Sequence, residues 1–155
     1  MSSGIVMEID DLSRLEVIQL LQDHLEDMRK TSPPESIHAL DLSGLQSSDI
    51  TFWSCWLDNQ LVGCIALKEL DQYHGEIKSM RTTSHARNQG VGTQMLTYLL
   101  RTAKARGYQQ VSLEKGSMTF FEPARNLYLK QGFELTGPFA DYEIDPNSLF
   151  MTQMI

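Results

Sequence analysis

Arg87-Asn88-Gln89-Gly90-Val91-Gly92 is the stretch on which the fold turns. Upstream of it, Tyr73–Thr83 reads as a strand, with Gly75 weakening its start. From Thr93 onward the period changes. Met95, Leu96, Leu99, Leu100 and Ala103 form one helical stripe, Arg101, Lys104 and Arg106 lie outside it, and Gly107 is placed to end it. A strand therefore enters a helix through a turn with two glycines in three residues. Such a turn lets backbone approach a ligand without interference from Cβ. The first N–H groups of the helix, at Thr93, point out of its end, and with the helix dipole they favour an anion. Arg87 can add charge-assisted hydrogen bonds to the same anion. Taken alone, the glycines would serve equally well in a plain strand-to-helix turn. The spacing is neither the Gly-x-Gly-x-x-Gly of dinucleotide sites nor a P-loop.

Working outward, Gly4–Ile9 reads as a first strand and a helix follows it. Ser13 with Glu16 fits a capping box, and Leu12 with Val17 fits the staple around it. Val17, Ile18, Leu21, Leu25 and Met28 recur at helical spacing, which leaves Gln19, Gln22, Asp23, Glu26 and Asp27 on a wet face. Pro33-Pro34 ends this helix, and Glu35–Leu40 allows a short second one. Thr51–Leu57 and Gln60–Leu70 read as strands joined at Asp58-Asn59. Beyond Gly107 come a strand at Gln110–Glu114, a helix opened by Pro123 and closed by Gly132, and strands at Phe133–Leu135 and Leu149–Met154. Hairpins early and strand–helix crossovers late predict an α/β (α+β) fold. Its central sheet is mixed and mostly antiparallel, with 6–7 strands and helices on both faces.

Composition bounds the rest. The 155 residues are 41% hydrophobic, which suits one core-forming domain spanning 1–155. A net charge of −7 is a poor match to nucleic acid, which calls for clustered Lys and Arg. Cys55 and Cys64 form no CxxC pair and have no histidines at ligand spacing, so they read as reduced core thiols and no metal site is expected. No signal peptide or membrane span is visible, and the default location is the cytoplasm.

Arg-x-x-Gly-x-Gly between a strand and an amphipathic helix resembles the coenzyme A pyrophosphate loop of the GNAT superfamily of N-acetyltransferases. Three further segments agree in order and spacing. Glu76-Ile77-Lys78-Ser79-Met80-Arg81-Thr82 resembles the family's fourth strand, Leu61-Val62-Gly63-Cys64-Ile65-Ala66 its central strand, and Ala124-Arg125-Asn126-Leu127-Tyr128-Leu129-Lys130-Gln131-Gly132-Phe133 its segment near the C-terminus. The match is close over roughly residues 50–135 and holds only by element order before that. Where the family often has a cofactor-contacting Asn, this chain has Phe121, with Ser117 or a water as a substitute.

The resemblance implies transfer of the acetyl group of acetyl-CoA to a primary amine by direct attack, without a metal. Arg87, Asn88, Gln89, Gly90, Val91, Gly92 and Thr93 would hold the phosphates. The backbone at Met80 and Thr82 would pair with the pantetheine arm and supply the oxyanion donor. Glu76 is the implied base, with Glu114 as the alternative, and Tyr128 the implied acid beside the thioester sulfur. Arg29-Lys30 and residues 31–42 fall where the family builds its acceptor wall, Asp141 and Tyr142 form an acidic-aromatic pair suited to a cation, and one of Trp53 and Trp56 could line the acceptor pocket. The four histidines are scattered and receive no role. The acceptor is read as a small-molecule amine, with a peptide or protein amine open; nucleic acid and membrane are not expected, and a homodimer is left open. A lysine or N-terminal acetyltransferase and a non-catalytic acyl-CoA sensor of the same fold are the competing readings.

Overall fold

The computed structural model describes residues 4–36, 42–117 and 121–155. Seven strands form one sheet: β1 (Val6–Ile9), β2 (Ile50–Leu57), β3 (Gln60–Asp71), β4 (His74–Thr82), β5 (Gln110–Gly116), β6 (Glu134–Thr136) and β7 (Ser148–Met154). Their spatial order is β1-β2-β3-β4-β5-β7-β6, and among the described residues only the β4–β5 pair is parallel. The helices are α1 (Leu15–Thr31), α2 (Leu42–Leu45), α3 (Val91–Ala105) and α4 (Glu122–Lys130). The crossover through α3 is what makes β5 parallel to β4, since a hairpin cannot join parallel neighbours.

The pleat sorts side chains to two faces. Phe52 and Trp56 of β2, with Leu61, Cys64 and Ala66 of β3, pack under Val17, Leu20 and Leu21 of α1 and Leu45 of α2. Trp53, Cys55, Ile65, Leu67 and Ile77 face the other way, onto Val91, Met95, Leu96 and Leu99 of α3 and Tyr128 of α4. Helices therefore cover both faces, as the pattern predicted. Each large side chain fully buried in this way contributes about 1.5–3 kcal/mol relative to exposure. Both cysteines are free and buried, on opposite faces, and burial raises each thiol to about 12.

The start of α1 departs from the sequence reading. The Ser13–Glu16 capping box does not form, and Arg14 is the N-cap without a side-chain cap bond. The Asp11 carboxylate takes both the Ser13 hydroxyl (2.6 Å) and the Ser13 N–H (3.1 Å), a local turn that competes with capping. The staple residues Leu12 and Val17 are buried in the same cluster. The inner stripe of α1 is Val17, Leu20, Leu21, His24 and Met28, so His24 belongs to it. Asp27 leaves the wet face to pair with Arg81 at 2.9 Å. Of the short helix expected at Glu35–Leu40, Pro34–Ser36 form a single 3-10 turn, and 37–41 lie outside the described residues.

Candidate active site

The site is made by a parting of strands. β4 and β5 pair at only three positions, His74–Gln110, Gly75–Val111 and Glu76–Ser112. Past Glu76, β4 continues to Thr82 and β5 to Gly116 without pairing to each other. A bulge drives them apart. Cys64 opposes Arg81 while Ala66 opposes Lys78, so Ser79 and Met80 share the space of one residue. Ser79 has φ 52°, in the left-handed region, and its carbonyl accepts the Cys64 thiol at 3.3 Å. The backbone edge of β4 from Ile77 to Thr82 is thus left open toward β5.

That edge runs into the loop. Gly90 is the N-cap of α3 with φ 81° and nothing within 4 Å of where a Cβ would stand, so it is glycine for conformation. Gly92 is glycine for space. A Cβ there would sit 3.0 Å from Leu127 Cδ2 and 3.4 Å from Met80 Cε. It therefore lets α3 lie against α4 and the open edge, a role the ligand-approach argument does not anticipate. No side chain caps α3, and the first donor turned back into the helix is Gln94 N–H, onto Gly90 C=O at 3.1 Å. The N–H groups ahead of it face out of the helix end.

Three cavities lie along the parting. A cavity of about 600 Å³ is lined by Glu76, Lys78, Asp141, Tyr142, Glu35 and Ser36, among others. A neck of about 40 Å³ shares Glu76, Lys78 and Tyr142 with it and adds Glu114. The neck in turn shares His24, Met28 and Lys115 with a pocket of about 250 Å³ that is also lined by Met80, Arg81, Arg87 and Phe121. Both carboxylates singled out by sequence, Glu76 and Glu114, thus open on the same neck, and only Glu76 also reaches the large cavity.

Glu76 is 2% exposed and held from two directions. The Tyr142 hydroxyl donates to its Oε2 at 2.5 Å, and Lys78 Nζ lies 3.1 Å from the same oxygen. Lys78 also donates to the Tyr142 hydroxyl at 2.8 Å. Burial, and then the charge of Glu76, push the Tyr142 phenol well above its usual range. Asp141 and Tyr142 line the large cavity, and Tyr142 is bound into a triad with Glu76 and Lys78. Period two along β4 puts Glu76 and Lys78 on one side, which is the signal that could have paired them.

Tyr128 is 3% exposed, and its hydroxyl donates to Met80 Sδ at 3.5 Å, which brings α4 against the open edge of β4. Burial raises its phenol, so the proton is retained across the neutral range. The Phe121 ring lies over Gly116, closer than any Cβ at 116 would allow. The Ser117 hydroxyl donates to the Pro146 carbonyl at 2.7 Å and helps tie β5 to the turn before β7. Trp53 and Trp56 are sheet core residues, 2% and 8% exposed, and line none of these three cavities. His24 was missed as a site residue, although Leu20, Leu21, His24 and Met28 keep helical spacing that turns it inward. It opens on both the neck and the smaller pocket, and burial, reinforced by the charges of Lys115 and Arg81, lowers it to about 3. Among the described residues no group of three His, Cys, Asp or Glu could hold a metal ion, and no helix is long and apolar enough to cross a membrane.

A mixed sheet that opens between two parallel strands, beside a glycine-rich helix start, defines the class of acyl-CoA N-acyltransferase folds. The chain belongs to the acetyltransferase (GNAT) family, whose sequence model matches residues 16–133. It is 53% identical to the uncharacterized N-acetyltransferase YsnE of Bacillus subtilis, over 96% of this chain and 99% of that protein. It is 44% identical to the uncharacterized N-acetyltransferase YedL of Escherichia coli, over 94% and 92%. A putative acyl-CoA N-acyltransferase from Klebsiella pneumoniae superposes with a TM-score of 0.78 at 25% identity, over 97% of each chain. The PaiA N-acetyltransferase of Thermoplasma acidophilum, solved in complex with coenzyme A, shares the fold with a TM-score of 0.77 at 17% identity, over 98% and 99%.

Proposed function

We propose that this protein transfers the acetyl group of acetyl-CoA to a primary amine by direct attack within a ternary complex. The observation that carries the reading is the parting of β4 from β5, which leaves an unpaired edge running from Glu76 to the loop Arg87–Gly92. An extended pantetheine arm suits such an edge, because strand addition supplies hydrogen bonds from backbone alone, here at Met80 and Thr82. The outward N–H groups at the start of α3, around Val91, Gly92 and Thr93, and the Arg87 guanidinium suit the pyrophosphate. Asn88, at φ 63°, and Gln89, whose amide donates to the His85 carbonyl at 3.1 Å, shape the turn that presents them.

In this reading the neck is where the chemistry occurs. An alkylamine arrives mostly protonated, with a pKa near 10. Glu76 accepts its proton, and Tyr142 and Lys78 keep the carboxylate in place. The amine nitrogen forms a bond to the thioester carbon as the carbon–sulfur bond breaks. A backbone N–H of β4 near Met80 meets the oxyanion. Tyr128 donates to the departing thiolate. Burial raises its phenol, so Tyr128 meets the thiolate protonated and able to donate. The products are an N-substituted acetamide and coenzyme A, and one net proton goes to solvent. A cytoplasmic location and action as one domain over 1–155 belong to the same reading.

The test is a thermal-shift titration with acetyl-CoA followed by coenzyme A release with a panel of small amines and peptides. At one hundred times Kd, a ligand bound only to the native state adds about 2.7 kcal/mol. Stabilisation with release dependent on an added amine is expected. No stabilisation at millimolar acetyl-CoA ends the reading. Stabilisation without release from any amine or peptide leaves an acyl-CoA-binding module in its place.

A further inference from the structure

The pocket of about 250 Å³ has a charge balance that the rest of the chain does not share. The protein carries a net charge of −7, yet Arg81, Arg87 and Lys115 line this pocket against one acid, Asp27. Arg87 lies at the loop end and belongs with the phosphates in the reading above. Asp27 binds Arg81 Nη1 at 2.9 Å and so cancels one of the remaining two cations. Lys115 has no hydrogen bond or ion pair among the described residues; its ammonium lies 5.4 Å from the Phe121 ring centroid. Burial lowers it, the charge of Glu114 opposes this, and Arg81 adds to it. Glu114 opens on the neck and is not among the residues lining this pocket. Arg81 Nε is buried without a partner. His24, 8% exposed, likewise makes no hydrogen bond among the described residues and opens on the same space.

Buried cations are ordinarily paired, and a guanidinium with a free Nε–H presents a planar donor edge that fits a carboxylate. One unmatched positive charge calls for a monoanion. The opposite end of the parting has the opposite sign. The large cavity beyond the neck is lined by Glu35, Asp141, Glu143 and Asp145 against Lys68, besides the Glu76–Lys78 pair, so acids outnumber cations there. An acceptor lying across the neck therefore meets cations at one end and carboxylates at the other.

We propose that His24, Arg81 and Lys115 form a carboxylate subsite and that the acetyl acceptor is a small aminocarboxylate, an amino acid. Its carboxylate sits against Arg81 Nε and the Lys115 ammonium, with the His24 imidazole as a neutral donor. Its amine points through the neck toward Glu76, and its side chain occupies the large cavity. This deepens the acetyltransferase reading and rests on it.

The experiment compares each of the common L-amino acids with its own primary carboxamide as acceptor, using coenzyme A release by the purified full chain. The amide keeps the amine and side chain and removes only the negative charge. It also makes the amine less basic, so the amide is the better nucleophile at pH 7 unless a site rejects it. At least one amino acid is expected to exceed its amide about tenfold or more in kcat/KM, through KM. Lys115→Met keeps the stem over Phe121 and is expected to raise KM for that amino acid about tenfold while leaving KM for the amide unchanged. Arg81→Gln should act in the same direction, and the melting temperature of each variant checks that it is folded. Amides or plain alkylamines turned over as well as the acids would overturn the carboxylate subsite while acetyl transfer stands. Equal KM changes for acid and amide in Lys115→Met would overturn it too. If acetyl-CoA fails to stabilise the protein at all, the reading beneath falls with it.

Discussion

Acidification should unfold this protein in part through one residue. His24 is buried on the inner stripe of α1, and burial, with the charges of Lys115 and Arg81, lowers its imidazole from the usual 6.5 to about 3. Between these values the unfolded chain binds a proton that the folded chain refuses. Stability from this group is therefore fully present above pH 6.5 and is lost as pH falls toward about 3. Each pH unit below 6.5 costs about 1.4 kcal/mol, so lowering the pH from 7 to 5 removes about 2 kcal/mol. That is a large fraction of the 5–15 kcal/mol typical of a domain. His24→Leu has similar bulk and does not titrate. Carboxylates and the other histidines contribute to the pH dependence of both proteins, so they largely cancel in the difference. Urea unfolding of parent and variant at pH 7 and pH 5 should show the parent losing about 2 kcal/mol more than the variant. Equal losses would refute the argument, because they would mean that His24 takes up its proton without leaving its buried position.

The geometry sets the expected outcome of other substitutions as well. Glu76→Gln should lower turnover at pH 7 by about tenfold or more, with the deficit shrinking at high pH as the amine sheds its own proton; an unchanged pH–rate profile would remove Glu76 as the base. Tyr128→Phe keeps the ring that packs edge-on to Phe133 at 5.7 Å and removes only the hydroxyl, so turnover should fall with melting little changed; parent-like turnover would end the acid role. Gly90→Ala should lose about 1–2 kcal/mol to its left-handed backbone, with Asn recovering part of it, whereas Gly92→Ala presses on Leu127 and Met80 and should weaken the acetyl-CoA thermal shift. Asp10 is 9% exposed and accepts Leu12 N–H at 2.8 Å and Ser54 Oγ at 2.6 Å, so Asp10→Ala should lose about 1–3 kcal/mol in urea unfolding while KM for acetyl-CoA stays the same.

The loop at Arg87–Gly92 and the order of elements around it were legible because they rest on short-range physics. Glycine at a positive φ, a change of period from two to 3.6, and prolines at helix starts all act within a few residues. That was enough to anticipate a mixed sheet with helices on both faces, whereas Glu76 on β4 and Tyr128 on α4 were singled out by the resemblance those segments carry. Local competition already defeated one such reading, where Asp11 took the Ser13 hydroxyl from the helix start. What tertiary structure alone decided is which side chains meet. Tyr142 lies 66 residues from Glu76 and Lys115 lies 91 from His24, and no periodicity relates them. The bulge at Ser79 is a mismatch between β3 and β4, a property of pairing that neither strand carries alone. It leaves the edge of β4 beyond Glu76 unpaired with β5, and that open edge runs toward the loop at Arg87–Gly92. The sign of charge at the far end was fixed only when α1 laid His24 and Asp27 beside Arg81, because a buried charge is defined by its neighbours in space rather than in sequence.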